Sequence, residues 1–245
     1  MAGKATWQRS CNVRERGNLR SFSVPSSLPQ FSWCGLAVVA VTRLHVFDQL
    51  LAHEGVEEVL ELRGRFGFMA YHGGGLEEMT DVIARAAAEL SDASYYGVHQ
   101  PVGMEWHIPS TKVTPEHSAK LAEFFDNVDI VITVHGYGRM GMWASLLLGG
   151  SNRDLAHHVG AHIRERLPAY DVRTDLETIP QELRGLHPKN PVNVPPLGGA
   201  QLELPPRVRG TSPLFWDWEG PGLNPHSQGL VEALATAART FPLPR

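Results

Sequence analysis

The stretch RFGFMAYHGGGLEEMTDVIARAAAEL, residues 65–90, joins two different hydrophobic patterns through a run of three glycines. Its first part, RFGFMAYHG, is apolar and has the length of a buried strand, so we predict a strand that ends at His72. From Glu77 onward the apolar residues recur every three or four positions, which predicts an amphipathic helix over residues 77–90. A strand followed closely by a helix is the building unit of α/β folds.

The same alternation of strands and helices continues along the chain. VDIVITVHG, residues 128–136, is an uninterrupted apolar run, which is typical of a strand in the middle of a sheet. The other predicted strands are SYYGVHQ (94–100), MEWHIPS (104–110), LLLGG (146–150) and GAQLEL (199–204). The other predicted helices are VFDQLLAHEG (46–55), SAKLAEFFDN (118–127), NRDLAHHVGAHIRERL (152–167) and HSQGLVEALATAARTF (226–241). We therefore predict an α/β fold, a three-layer sandwich built around a mixed, largely parallel sheet.

The composition argues against several classes of protein. The 245 residues carry a formal net charge of −4, so we expect no basic surface for nucleic acid. Two cysteines are too few for a disulfide framework or a cysteine-based zinc site. The apolar run at residues 36–41 is far shorter than the ~20 residues that a membrane span needs, and no clean signal cleavage site follows it. We expect a cytoplasmic protein without membrane or nucleic-acid partners, and the composition does not specify an oligomeric state.

Polar residues stand where the predicted strands end. His72 and His135 close two of the strands, and Glu203 lies near the end of a third. Open α/β sheets place their sites in the crevice beyond those carboxyl ends, and Glu77 would return to the same rim on the first turn of the following helix. Two imidazoles and a carboxylate with a fourth position open form a common catalytic zinc site. The sequence therefore predicts that Zn²⁺ is bound here, with the glycines letting His72 and Glu77 meet one ion.

Each of these residues also has an ordinary structural interpretation. A histidine at a strand end is commonly a half-buried core residue, and Glu77 could simply favour a helix N-terminus. Glu203, between two leucines, could be the outward residue of an alternating strand. His158 and His162 have the spacing of a zinc pair, but no glutamate stands between them in the zincin pattern and both flank an apolar stripe. We interpret that pair as boundary residues, and the metal-site prediction rests on the coincidence of the other four.

Five segments in order resemble one known family, the poly-γ-glutamate hydrolases related to a phage enzyme. YHGGGLEEMT is similar to the family's His-Gly-Gly-x-Ile-Glu-x-x-Thr, and GAQLELPPRVR is similar to its Gly-Val-Gln-Leu-Glu-Leu segment with a following arginine. The segments EWHIPST, VHGYG and LGGSNRDL match the family's remaining motifs in the same order. The resemblance covers about residues 45–209. It implies a zinc hydrolase of amide bonds with a carboxypeptidase-like core and a γ-glutamyl polymer as substrate.

The resemblance also implies roles for individual residues. It makes His72, Glu77 and His135 the zinc ligands, and Glu203 the general base. A base of this kind takes the proton of the attacking water and passes it to the leaving amine. These are the four residues that the strand ends had already singled out.

The substrate-binding residues are less clearly marked. The resemblance places His107 near the site, and Arg209 matches the arginine that follows the Gln-Leu-Glu-Leu segment. Arg139 and Arg209 are both candidates to assist the oxyanion or to bind a substrate carboxylate. Where the family has Asn-x-x-Asn-Arg, this chain reads NPVNV, with Val194 at the arginine position. A small acyl-amino acid or peptide is therefore the alternative substrate class.

The competing hypothesis is a non-enzymatic, metal-stabilised domain that binds a ligand or partner. Glu203 argues against it, because a structural metal site closes its fourth position and needs no base. Residues 1–36 are polar and show no period, so we expect a poorly ordered N-terminal extension there. We expect residues 37–245 to form a single catalytic α/β domain.

Overall fold

The structure is a computed structural model, and it describes residues 45–211, 220 and 222–243. These residues all fall within one compact unit that spans Arg43–Arg245. The expected extension, residues 1–36, lies outside the described residues.

The described residues form a seven-stranded sheet with the order β1-β3-β2-β4-β7-β5-β6. Neighbouring strands run parallel in four pairs (β2–β3, β2–β4, β4–β7 and β5–β6) and antiparallel in the other two (β1–β3 and β5–β7). The predicted mixed, largely parallel sheet is confirmed. The strands are β1 (Glu57–Glu61), β2 (Phe66–Gly74), β3 (Ser94–Gln100), β4 (Ile130–Gly136), β5 (Ser145–Leu148), β6 (Asp171–Arg173) and β7 (Gly199–Leu204).

Helices cover both faces of this sheet. The helices are α1 (Val46–Leu51), α2 (Thr80–Ser91), α3 (Ala119–Asn127), α4 (Arg153–Arg166), α5 (Pro206–Arg209) and α6 (Pro225–Thr240). Buried residues of α2, α4 and α6 pack on one face of the sheet, and buried residues of α1 and α3 pack on the other. This is the predicted three-layer arrangement. Among the described residues, none of the helices has both the length and the apolarity needed to cross a bilayer.

The strand β4 anchors the middle of the sheet because both of its faces are buried. Ile130 and Ile132 belong to the core under α2, α4 and α6, whereas Val131 faces the core under α1 and α3. Burying a side chain of this size contributes about 1.5–3 kcal/mol. Truncating Ile132 to alanine would cost about 2–5 kcal/mol, because the close-packed surroundings cannot fill the cavity.

Several sequence-based assignments differ from the structure. The segment 104–110 is not a strand. The backbone N–H and C=O of Trp106 form hydrogen bonds with the side-chain amide of Gln100, whereas in a strand they would bond the backbone of a neighbouring strand. The strands β1 and β6 were not predicted. Both are short edge strands, and β1 is rich in glutamate, as is common at sheet edges. Helix α2 begins at Thr80 rather than at Glu77.

Candidate metal centre

The glycine corner between β2 and α2 brings Glu77 back over His72. Gly74 has a φ of +70°, and a Cβ there would lie 2.1 Å from the carbonyl oxygen of Gln100, so only glycine fits. The loop closes where the Glu77 N–H donates to the His72 carbonyl oxygen at 2.9 Å. Glu77 therefore belongs to this loop and not to the first turn of α2, which is a correction to the sequence-based placement. Met79, at a φ of 72°, separates the loop from the helix.

His72, Glu77 and His135 converge at the carboxyl edge of the sheet. The Nδ1 atom of His72 lies 3.0 Å from Glu77 Oε1, and the Nδ1 atom of His135 lies 3.3 Å from Glu77 Oε2. One possible ligand atom from each of the three residues lies within 4.8 Å of the others, so the group could hold a metal ion. The histidines are 2% and 4% exposed, so the site is enclosed rather than a chance surface cluster. The predicted meeting of these three residues is confirmed.

The outer nitrogens of both imidazoles are occupied by hydrogen bonds. His72 Nε2 lies 2.9 Å from the carbonyl oxygen of Ile108, and His135 Nε2 lies 2.9 Å from the Tyr71 hydroxyl. A carbonyl can only accept, so His72 carries a proton on Nε2, and its Nδ1, which faces Glu77, is the nitrogen that would bind a metal ion. Metal-ligating histidines usually have such a partner on the nitrogen that does not bind the metal.

Charge at the centre favours a bound cation. Burial alone would raise the pKa of Glu77, but the two imidazoles outweigh it and hold that pKa well below its ordinary range. Burial lowers the pKa of His135, and Glu77 more than reverses this, so that pKa is raised. An ionised carboxylate that faces two imidazole nitrogens needs positive charge between them, either as protons or as a metal ion. The donor set therefore fits a metal cation.

Glu203 lies beside the three residues on the neighbouring strand. In the parallel ladder of β4 and β7 its register partner is His135, and its side chain is 4% exposed. The Gln201 amide nitrogen donates to Glu203 Oε1 at 2.8 Å. Burial raises the pKa of Glu203 to about 7. Such a carboxylate can accept and release a proton near neutral pH.

A cleft of about 630 Å³ opens over all four residues. His107 forms part of its wall, with its ring centroid 4.9 Å from that of His72. Burial, and then the neighbouring His72, lower the pKa of His107, so its imidazole is neutral near neutral pH. The other polar side chains of the wall are Ser110, Thr111, Gln181, Glu182, His187, Asn190 and Gln201.

The two candidate arginines occupy different environments. Arg139 is partly exposed and pairs with Glu182 of the cleft wall. Arg209 is buried and donates to the carbonyl oxygens of Glu78 and Leu204 at 2.8 and 3.3 Å. Arg209 lines a neighbouring cavity with Trp143 and is absent from the wall of the cleft.

The rival histidine pair has other partners. His158 Nε2 and His162 Nε2 lie 3.1 and 3.2 Å from the Thr240 hydroxyl, between α4 and α6. Within the part of the chain that the structure describes, His72, Glu77 and His135 are the one group of three side chains that could hold a metal ion.

Sequence reasoning missed three buried residues next to the site: Tyr71, Asn190 and Gln201. Gln201 could have been found, because it lies two residues before Glu203 on the same face of β7. Tyr71 reaches the site through an irregularity in β2, where the register to β3 shifts between Ala70 and Gly73. Asn190 lies in an irregular segment that has no period to interpret.

The chain is similar to known proteins in sequence and in fold. The family model described as poly-γ-glutamate hydrolase matches residues 47–233, whereas no curated protein matches the sequence. A bacteriophage poly-γ-glutamate hydrolase shares the fold at 17% identity and a TM-score of 0.62, covering 75% of this chain and 87% of the phage chain. The zinc-free apo form of YNDL aligns at 20% identity and a TM-score of 0.63, covering 76% of this chain and 90% of its own.

Proposed function

Since the chain belongs to the poly-γ-glutamate hydrolase family, we propose that it is a zinc-dependent hydrolase of amide bonds, with γ-glutamyl linkages as its substrate. One observation carries the proposal: a buried carboxylate, Glu203, shares a cleft with the enclosed group of His72, Glu77 and His135. A structural metal site has no use for a base at this place.

Zinc is the metal that suits this set of donors. Two imidazole nitrogens and one carboxylate leave a fourth tetrahedral position open. The Nδ1 atoms of His72 and His135 lie 3.0 and 3.3 Å from the two oxygens of Glu77, so each of the three residues could contribute a ligand atom to one ion. The zinc-free form of YNDL is one of the proteins that share this fold.

The protein groups divide the chemistry between them. A zinc ion held by His72, Glu77 and His135 supplies Lewis acidity toward water and the scissile carbonyl. Glu203 takes the proton from the attacking water and delivers it to the leaving amine nitrogen. Burial raises the pKa of Glu203 to about 7, and a cation at the neighbouring group would lower that pKa and favour the ionised form that accepts the proton.

Two residues are proposed to contact the substrate. Arg139 is exposed and pairs with Glu182 of the cleft wall, so its guanidinium can bind a glutamyl carboxylate of a substrate that extends past Glu182. His107 offers a neutral imidazole to the amide next to the metal centre. We assign no substrate contact to Arg209, because its guanidinium is committed to backbone carbonyl groups.

The test compares the parental protein with Glu203→Gln on poly-γ-glutamate and on short γ-glutamyl peptides. Product release is followed by amine detection, and zinc content is measured by atomic emission. We expect the substitution to lower turnover ~10²–10⁴-fold, as the loss of a general base does, with zinc retained. Glu89→Gln, an exposed substitution on α2, serves as the matched control. Near-parental turnover by a zinc-loaded Glu203→Gln protein would contradict the role of Glu203 as base and favour the competing hypothesis of a non-enzymatic, metal-stabilised binding domain.

A further inference from the structure

A chain of buried hydrogen bonds connects His135 to Glu203. His135 Nε2 lies 2.9 Å from the Tyr71 hydroxyl, which lies 3.4 Å from Asn190 Oδ1. Asn190 Nδ2 lies 2.8 Å from Gln201 Oε1, and Gln201 Nε2 lies 2.8 Å from Glu203 Oε1. All five side chains are buried, and they come from β2, β4, β7 and the segment before β7.

Two backbone groups fix the orientation of the two amides in this chain. The carbonyl oxygen of Leu183 accepts from Gln201 Nε2 at 3.3 Å, so the nitrogen of Gln201 faces Leu183 and Glu203. Its oxygen is then left to accept from Asn190 Nδ2. The Val192 N–H donates to Asn190 Oδ1 at 3.2 Å, which independently directs the oxygen of Asn190 toward Val192 and Tyr71.

The orientation of Asn190 determines which nitrogen of His135 is protonated. Because Asn190 Oδ1 can only accept, the Tyr71 hydroxyl donates to it. The Tyr71 oxygen then accepts from His135, so the proton of His135 is on Nε2. This leaves Nδ1 of His135, which faces Glu77, as the nitrogen that would bind a metal ion. The backbone carbonyl of Ile108 selects this same tautomer for His72.

We propose that Asn190 is a positioning residue that serves both halves of the site. Through Tyr71 it holds His135 as an Nδ1 ligand, and through Gln201 it keeps an N–H donor on Glu203. This inference rests on the proposed function, because it assigns a metal to the Nδ1 side of His135. Asn190 is the N-cap of the short 3₁₀ helix Pro191–Asn193. The first residue of this helix is proline, whose ring fixes the φ angle directly after Asn190.

The first test is Zn²⁺ affinity, measured by competition with a colorimetric chelator and independent of activity. Tyr71→Phe and Asn190→Leu should each weaken Zn²⁺ binding about 10–100-fold, the usual cost of losing a partner of a ligating histidine. Since Asn190 acts on His135 through Tyr71, the double variant should bind Zn²⁺ no more weakly than Tyr71→Phe alone. Additive losses in the double variant would overturn the proposed route through Tyr71.

Asn190→Asp separates the two ends of the chain. One carboxylate oxygen still accepts from Tyr71 and Val192, so Zn²⁺ affinity should stay near parental. The second oxygen replaces the N–H that donated to Gln201 Oε1, so this hydrogen bond is lost and only the Leu183 carbonyl oxygen still orients the Gln201 amide toward Glu203. We expect kcat to fall about 10–100-fold while the zinc remains bound. Equal effects of Asn190→Asp and Asn190→Leu on Zn²⁺ affinity would overturn the proposal. If the leucine variant does not fold, Asn190→Asp is compared with the parental protein, and a Zn²⁺ affinity lowered as much as in Tyr71→Phe, or an unchanged kcat, would overturn it.

Asn193→Leu is the matched control. Asn193 ends the same 3₁₀ helix and is bonded to Gly185, His187 and Ser151, but it has no link to His135. Its substitution should lower thermal stability and leave Zn²⁺ affinity near parental. A parental protein that binds no Zn²⁺ would refute the proposed function itself. A parental protein that binds Zn²⁺ and hydrolyses amides, with Asn190→Leu unaffected in both, would refute the positioning role alone.

Discussion

Replacing Glu203 by glutamine should stabilise the zinc-free protein at alkaline pH. Burial raises the pKa of this carboxyl from 4.5 to about 7 in the folded protein. Between these two values the unfolded chain binds fewer protons than the folded chain, so the free energy of unfolding falls as pH rises. The stability that the protonated Glu203 provides is fully present below pH 4.5 and is lost as pH rises through about 7. Glutamine keeps the shape and the acceptor for Gln201, but it cannot ionise.

The size of this effect follows from the same two values. The difference between 4.5 and about 7 corresponds to about 3 kcal/mol, at ~1.4 kcal/mol for each tenfold change in proton affinity. Glu203→Gln should therefore match the parental protein at pH 4.5 and exceed its free energy of unfolding by about 3 kcal/mol at pH 8. For a domain of this size that is a rise of ~6–12 °C in Tm. The lowered pKa of Glu77 acts in the opposite direction and is present in both proteins.

Urea unfolding of chelator-treated protein at a series of pH values measures this difference. Glu89→Gln, whose side chain is exposed, controls for the loss of one negative charge and should follow the parental curve. If the parental and Glu203→Gln proteins differ by the same amount at every pH, the carboxyl of Glu203 does not titrate at the raised value and the reasoning fails. A difference of the predicted sign would show that the fold gives up stability to hold a base at this place.

Two further predictions concern the metal and the corner that holds it. His72→Ala should lose Zn²⁺ binding and hydrolysis together. Zn²⁺ at one hundred times its Kd stabilises a protein that binds it by about 2.7 kcal/mol, and His72→Ala should lack this stabilisation. Zinc content and Tm with and without Zn²⁺ measure both effects, and a zinc-loaded His72→Ala protein would refute the ligand assignment. Gly74→Ala should lower the free energy of unfolding by more than about 1 kcal/mol, because φ at this residue is +70° and the new methyl group meets the Gln100 carbonyl oxygen. Urea unfolding measures this change, and an unchanged unfolding curve would contradict the prediction.

Much of the site could be predicted because its residues end regular strands. His72, His135 and Glu203 follow or interrupt apolar runs, and the parallel arrangement brings the ends of such strands to one edge of the sheet. Tyr71 and Asn190 could not be found in this way. The first depends on a local register shift in β2 and the second on an irregular segment, and neither leaves a period in the sequence.

The errors in the fold have a similar origin. Edge strands such as β1 and β6 are held by backbone pairing on one side and carry little apolar pattern, so they look like loops in the sequence. The segment 104–110 has the residue types of a strand, but its backbone partners come from the side chain of Gln100. The spacing of apolar residues in a sequence indicates which side chains are buried, and it does not indicate which backbone groups pair. In these segments backbone pairing does not follow burial, so the sequence pattern is misleading.

The position of β7 in the sheet has a consequence for how the protein is synthesised. Within the described residues β7 is the last strand along the chain, yet it lies between β4 and β5 in the interior of the sheet. A ribosome-bound chain that has not reached residue 199 therefore contains all three proposed ligands but exposes the apolar edge of β4. Such an edge can pair with other chains, so this intermediate is prone to aggregate. Because Glu203 lies on the strand that closes the sheet, the proposed base joins the three proposed ligands only after this edge has been covered.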